Sequence, residues 1–110
     1  MIKNVEIKKK FVSNWFIFLQ SQIREQFEVI EKKLSKKKTK KNKKFSASKW
    51  FKKNKDEGGG LSLILENGEV FDKVGINQST VSGIFQKEFK SKIPGAKKNG
   101  KYWASGISVV

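Results

Sequence analysis

The sequence predicts an α+β protein in which one long helix precedes a set of antiparallel strands. Within residues 4–34, apolar side chains recur at spacings of mostly three and four, as they do on one side of an α-helix. Residues 58–110 instead show the alternation of side chains that is typical of strands. An Asn-Gly pair at 67–68 separates two alternating segments, and this dipeptide favours a tight turn between antiparallel strands.

The predicted helix, residues 4–34, carries a broad apolar stripe. Aromatic residues at this spacing are most often core, so we expect the stripe to pack against a substantial partner surface. Phe16 and Ile17 lie beside the stripe and widen it. The stripe itself consists of Val5, Ile7, Phe11, Trp15, Phe18, Leu19, Ile23, Phe27, Ile30 and Leu34.

A run of lysines in residues 32–44 accounts for much of the positive charge. The 110-residue chain has a net charge of +15, and nine of its lysines lie in this run without an acidic residue. Subtracting these nine charges from +15 leaves +6 for the rest of the chain. A block of like charges repels itself and cannot bury apolar surface, so we predict a disordered linker over 32–44.

The same charge raises the alternative of a small Lys-rich protein that binds nucleic acid nonspecifically. Phe45, Trp50 and Phe51 lie among lysines in residues 45–57, and aromatic side chains can stack on single-stranded bases. Their spacing shows no repeat, and Arg24 is the only arginine, whereas phosphate-binding surfaces favour the bidentate guanidinium. The other interpretation is a loop whose aromatic side chains anchor it to the sheet.

The strand region begins with three consecutive glycines at 58–60, which let a backbone bend sharply or pass close to another surface. Residues 61–66 and 69–74 then alternate on either side of the Asn-Gly turn and predict a hairpin. Both faces of this hairpin are partly apolar. We therefore expect helices or another subunit to cover it on two sides.

Three further elements are predicted after the hairpin. Residues 79–85 suit a short strand, residues 86–92 a helical turn that ends before Pro94, and residues 101–110 a strand. One face of this last strand is core-like. The other face is small and hydroxyl-bearing, which suits either the close approach of a large flat ligand or packing under a helix. The small face consists of Tyr102, Ala104, Gly106, Ser108 and Val110.

The composition limits the chemistry that these residues can perform. The sequence contains no Cys and no His, which excludes disulfides, thiolate nucleophiles and His-based metal or acid/base sites within it. We therefore expect no metal to bind here. Asn14 interrupts the apolar segment near the start and Arg24 follows it too soon for a span of about 20 apolar residues. The sequence predicts a cytoplasmic protein without a transmembrane segment.

The order of residues between 50 and 110 is more specific than any of these patterns. A Trp and a glycine cluster precede a Ser-containing strand, a Gly turn, Val-Phe-Asp-Lys-Val-Gly-Ile-Asn, Ser-x-Val-x-Gly and Tyr-x-Ala-x-Gly-x-Ser. In this order the chain resembles the oxygen-dependent coproporphyrinogen III oxidases. The matching residues are Trp50, Gly58, Gly59, Gly60, Ser62, Gly68, Val70, Phe71, Asp72, Lys73, Gly75, Asn77, Ser79, Val81, Gly83, Tyr102, Ala104, Gly106 and Ser108.

The resemblance implies an activity and an architecture. Members of this family oxidatively decarboxylate two propionates of coproporphyrinogen III to vinyl groups, giving protoporphyrinogen IX in haem biosynthesis. They use molecular oxygen as co-substrate without an organic cofactor and act as homodimers built on a broad antiparallel sheet flanked by helices. Family members are considerably longer than this chain. The resemblance therefore implies that residues 1–110 are an incomplete N-terminal part of a single domain.

The resemblance also assigns roles to particular residues. It implies that Ser108 binds the substrate and that the hairpin lies near the subunit contact. It places no catalytic residue of the family within this chain, so we expect the 110-residue polypeptide alone to be inactive. The expected dimer-contact residues are Ile64, Leu65, Val70, Phe71 and Lys73.

Overall fold

The computed structural model describes residues 4–35, 43–94 and 99–110. It contains one long helix followed by a four-stranded antiparallel sheet, which confirms the predicted α+β class. Most of the predicted lysine linker, residues 36–42, lies outside the described residues. The elements are α1 (Asn4–Leu34), β1 (Ser46–Phe51), a 3₁₀ turn (Lys55–Glu57), β2 (Gly58–Glu66), β3 (Lys73–Ile84), α2 (Lys87–Lys90) and β4 (Lys101–Val109).

The four strands form a meander in the order β1-β2-β3-β4, and each strand pairs antiparallel with the next. Because side chains alternate across a strand, the register divides the sheet into two faces. Helix α1 packs against one of them. We call the opposite side, which carries Ser62, Asn77 and Ser108, the open face.

The core lies between α1 and the inner face of β2 and β3. Four aliphatic side chains form its centre, and the half-buried Ile23 and Phe27 of α1 pack against them. Phe27 also contacts Phe71 edge-on, with ring centroids 4.9 Å apart. Burial of aliphatic side chains of this size contributes about 1.5 to 3 kcal/mol each. The four central residues are Leu63, Leu65, Val74 and Ile76.

The prediction that the whole apolar stripe of α1 is core is wrong. Phe11, Trp15 and Phe18 remain 72%, 56% and 54% exposed on the side of the helix away from the sheet. Two polar residues that the stripe did not include are buried instead, Gln20 against the sheet and Glu31 against the residues between β2 and β3. The helix is apolar on more than one side, and the buried side is the one whose polar residues bind backbone groups of the sheet and of the loop after β2.

Gln20 joins the helix to the middle of the sheet. Its side chain is 1% exposed, and its Nε2 group donates to the carbonyl oxygens of Leu61 and Ile76 at 2.8 and 3.0 Å. A buried amide requires such partners because an unpaired one costs about 1 to 3 kcal/mol. Gln20 therefore sets the position of α1 over β2 and β3.

The connection between β2 and β3 differs from the predicted two-residue turn. Strand β2 ends at Glu66 and β3 begins at Lys73, so residues 67–72 form a loop and the predicted strand over 69–74 is wrong for its first four residues. Asn67 adopts a positive φ of 55°, and its N–H donates to the carbonyl of Asp72 at 2.8 Å. The loop is longer because a side chain of α1, Glu31, binds its backbone.

Glu31 holds this loop. Its buried carboxylate accepts the backbone N–H groups of Glu69, Val70 and Phe71, the last at 3.0 Å, which draws the loop away from a strand pairing and onto the helix. Charge-assisted hydrogen bonds of this kind are roughly twice as strong as neutral ones. The interaction joins residues about forty positions apart, so local sequence patterns do not reveal it.

The remaining elements can be compared with their predicted bounds. Residues 46–51, interpreted as part of a loop, form the edge strand β1, whose preceding residue Phe45 donates its N–H to Glu28 at 3.0 Å. Strand β3 starts six residues earlier than the predicted short strand at 79–85. The helical turn within 86–92 and the strand from Lys101 are confirmed as α2 and β4.

The glycine cluster passes against neighbouring backbone, as predicted. A Cβ atom on Gly58, Gly59 or Gly60 would lie 2.2, 2.0 or 2.1 Å from the carbonyl oxygen of Thr80, Trp50 or Gln78. Gly58 also has φ +93°, a conformation that L side chains rarely adopt. Because the three glycines have no side chain, β2 can fit between β1 and β3.

Candidate functional site

The open face carries a row of small polar side chains that crosses all four strands. Ser48 pairs with Ser62, Ser62 with Asn77, and Asn77 with Ser108. Neighbouring strands lie about 4.8 Å apart, so the row is about 14 Å long. Its formation depends only on the register, because the four residues come from distant parts of the chain.

A second row lies beside the first and consists of Trp50, Gly60, Ser79 and Gly106. The Trp50 indole lies against Gly60, since a Cβ atom there would be 2.9 Å from Nε1. At Gly106 a Cβ atom would meet nothing within 4 Å. The two glycines leave a flat backbone surface, and the Trp50 indole borders this surface on the side of β1.

Together the two rows form the floor of an open groove of about 370 Å³. We call this surface the polar floor. The volume of the groove lies in the range of small-molecule sites. The groove is lined by Trp50, Ser62, Asn77, Ser79, Gly106, Ile107 and Ser108.

The polar floor has unused hydrogen-bonding capacity. In the ranges that the structure describes, no hydrogen bond engages the side chains of Ser62, Asn77 or Ser108. The Nδ2 atom of Asn77 lies 3.9 Å from the position of a Cβ on Gly75, so the missing side chain there gives the carboxamide room. Hydroxyl groups and a carboxamide both donate and accept, so they can bind carboxylate and N–H groups alike.

A lysine and a tyrosine lie beyond the end of β1, and the tyrosine pairs with Gly83, four residues along β3 from Ser79 of the floor. Lys52 donates to the carbonyl of Ser82 at 2.9 Å and to the Tyr102 hydroxyl at 3.1 Å, with its Nζ 5.4 Å from the tyrosine ring. The ring of Tyr102 stacks on Phe85 at 4.6 Å and covers Gly83. Glu57 lies 3.9 Å from the same ammonium group, which places one cation and one anion at this edge.

The structure places the predicted site residues in three environments. Ser108 lies exposed on the polar floor, as its predicted small face requires. Of the expected dimer-contact residues, Leu65 is fully buried under α1 and Phe71 packs on Phe27. Ile64, Val70 and Lys73 keep accessible surface, with Ile64 on the open face. The dimer contact itself remains a prediction.

The sequence analysis assigned no substrate-binding role to Trp50, Ser62, Asn77 or Ser79, although all four belong to the family pattern. The signal that could have found them is the period of two, because each lies an even number of residues from a glycine or serine of the same strand. Which of these residues reach Ser108, however, depends on strand register. Register is a property of the assembled sheet.

Among the residues that the structure describes, no three His, Cys, Asp or Glu side chains are grouped as a metal site would require. Within residues 4–35, 43–94 and 99–110, no helix has the length and apolarity needed to cross a bilayer.

Comparison with known proteins shows the family of this chain. Residues 12–110 match the family described as coproporphyrinogen III oxidase. The chain belongs to this family. It is 45% identical over 102 residues to the oxygen-dependent coproporphyrinogen-III oxidase of Rickettsia felis and 47% identical over 103 residues to that of Rickettsia typhi. Each match covers 93% of the chain and 36% of the relative, so the chain spans about a third of the relatives' length. No solved structure matches.

Proposed function

We propose that this chain supplies the substrate-binding floor for the oxygen-dependent conversion of coproporphyrinogen III to protoporphyrinogen IX. The observation that carries the proposal is the polar floor itself, where Ser108 of the family's Gly-x-Ser motif lies in a row with Ser62 and Asn77. A flat surface bordered by an indole suits a large macrocycle that lies against the sheet. The hydroxyl groups suit its carboxylates and N–H groups.

In this role the described residues bind and orient the substrate. Ser108 can donate its Oγ hydrogen to a propionate or accept an N–H from a pyrrole, and Gly106 beside it lets the macrocycle approach the backbone. The sequence has no His or Cys, so it offers no side chain whose ordinary pKa lies near neutrality for proton transfer. We therefore assign it binding and orientation rather than acid/base catalysis.

The nucleic-acid alternative has less support. Phe45 is half-buried and packs edge-on against Phe27, with ring centroids 6.4 Å apart, and Trp50 lies against Gly60 but stays 38% exposed. Phe51 is 59% exposed and holds Lys55 over its ring at 5.6 Å. The two exposed rings, Trp50 and Phe51, are adjacent in β1 and therefore project from opposite faces of the sheet, so they form no continuous platform for stacking successive bases.

The remaining properties of the proposed enzyme follow the family resemblance. We propose that it uses molecular oxygen without a metal in this segment, and acts in the cytoplasm, where the absence of Cys is unremarkable. We also propose that it assembles as a homodimer with the β2–β3 hairpin near the contact. Of the hairpin residues, Ile64, Val70 and Lys73 have the exposed surface that such a contact requires.

A hybrid enzyme tests the proposed activity. Residues 12–110 would replace the matching segment of the Rickettsia felis oxidase, and conversion of coproporphyrinogen III under air would be followed by chromatography. We expect the hybrid to be active and the 110-residue polypeptide alone to be inactive. A folded hybrid that binds no substrate and forms no product would contradict the proposal, and the unmodified Rickettsia enzyme is the control.

Changing Ser108 to Ala in the hybrid separates substrate contact from a structural role. One lost hydrogen bond costs about 0.5 to 1.5 kcal/mol, so we expect kcat/KM to fall roughly two- to tenfold with an unchanged melting temperature. Ser48→Ala, at the far end of the same row, is the matched control and should have a smaller effect. A lower melting temperature with normal kinetics would assign Ser108 to stability.

A further inference from the structure

We infer that Asn77 is the central substrate-binding residue of the polar floor and that its carboxamide oxygen accepts hydrogen bonds from the pyrrole N–H groups of a bound porphyrinogen. This inference rests on the proposed function and extends it to a residue and an atom. Neither the predicted sites nor the names of the relatives assign Asn77 a role.

The first argument is position. Strands β2 and β4 flank β3, so Asn77 has Ser62 on one side and Ser108 on the other, each about 4.8 Å away across the sheet. Trp50 limits the floor on the β1 side. Apart from Trp50, the groove is lined by residues of β2, β3 and β4, and the indole covers Gly60 of β2. The centre of a macrocycle in this groove therefore lies above β3, where Asn77 is the largest polar side chain of the floor.

The second argument is chemical. A porphyrinogen carries its carboxylates at the periphery and its pyrrole N–H groups at the centre. Its centre therefore requires an acceptor, and a neutral one avoids repelling the carboxylates. The Asn77 carboxamide supplies a neutral oxygen there, and no protein hydrogen bond within the described residues uses it. The hydroxyl groups of Ser62 and Ser108 lie further from the centre, within reach of other substrate atoms.

The third argument concerns the cation at the edge. Lys52 follows Trp50 of the floor by two residues and contacts Tyr102, with its Nζ 3.1 Å from the phenolic oxygen. Its side chain is 28% exposed, so it is partly shielded from water and a nearby carboxylate would interact with it more strongly than with a fully solvated lysine. Glu57 lies 3.9 Å from the same ammonium group, so a peripheral carboxylate of the substrate would compete with Glu57 for Lys52. The neutral acceptor at the centre meets the pyrrole N–H groups.

Binding measurements on the 110-residue chain test the inference directly. Under nitrogen, coproporphyrinogen III would be titrated against the protein while tryptophan fluorescence is recorded, since Trp50 borders the floor. Copper(II) coproporphyrin III is the second probe because it keeps the propionates and has no pyrrole N–H. For Asn77→Leu, which keeps the size and removes the acceptor, we expect coproporphyrinogen to bind five- to tenfold more weakly and the copper chelate to change less than twofold.

Asn14→Leu is the matched control, because Asn14 is exposed on α1, which packs on the opposite side of the sheet. It should leave both dissociation constants unchanged. If Asn77→Leu lowers the melting temperature, Asn77→Ala replaces it in the same comparison. Equal weakening of both ligands would overturn the inference, because Asn77 would then shape the floor without accepting N–H groups. Unchanged binding of coproporphyrinogen would overturn it as well.

The outcomes for the two proposals are separable. If the hybrid enzyme is active and Asn77→Leu leaves its KM unchanged, the role of Asn77 is refuted. The proposed function is then not contradicted. An inactive hybrid with Asn77-dependent binding of coproporphyrinogen by the chain refutes the proposed activity alone. If the chain binds no coproporphyrinogen and the hybrid is inactive, both are refuted.

Discussion

Gly58→Ala is expected to destabilise the fold by about 3 kcal/mol or more. Two costs combine at this residue. Its backbone, with φ 93° and ψ −160°, lies in a region that is essentially restricted to glycine. In addition, an added Cβ would lie 2.2 Å from the Thr80 carbonyl oxygen, a backbone atom of the paired strand that cannot rotate away. Urea unfolding followed by circular dichroism would measure the loss as a lower midpoint.

Gly106→Ala is the matched control for this prediction. Gly106 lies in the neighbouring strand pair, has no positive φ, and an added Cβ would meet nothing within 4 Å. We expect its free energy of unfolding to stay within about 0.5 kcal/mol of that of the original protein, or to rise slightly, because alanine restricts the unfolded chain. Similar losses for the two variants would mean that the close approach at Gly58 does not exist.

Glu31→Ala is expected to cost about 3 kcal/mol, because it leaves three backbone donors without their acceptor. The N–H groups of Glu69, Val70 and Phe71 all point to this carboxylate, which is 2% exposed. For a chain of this size the melting temperature should fall by about 10 °C or more. Amide hydrogen exchange should accelerate first at residues 69–71, because their protection depends on Glu31.

Two variants make this prediction specific. Glu31→Gln keeps one acceptor oxygen and loses the charge, so we expect an intermediate loss. Glu25→Ala removes an exposed carboxylate from the same helix and should change the melting temperature little. Equal shifts for Glu31→Ala and Glu25→Ala would show that the loop is held by packing of Phe71 on Phe27 instead.

The errors in the sequence-based expectations have a common cause. The apolar stripe correctly predicted a helix over 4–34 but not which side of it faces the sheet. Phe11 and Trp15 are more apolar than Gln20, yet Gln20 is buried, because its amide binds carbonyl groups of two strands. Likewise, Asn67 and Gly68 favoured a tight turn, and Glu31 holds a wider loop. In both cases a distant hydrogen-bond partner outweighed a local preference.

The sequence by itself determined the α+β class, the extent of α1, the strand at β4 with Ser108 on its small face, and membership of the family. These features depend on local periodicity and on the order of motif residues. Only the tertiary structure decided which side of α1 is buried, that residues 46–51 pair as β1, and that Asn77 lies between Ser62 and Ser108. The physical reason is that strand register and long-range hydrogen bonds join residues far apart in the chain, and no local pattern specifies those pairings.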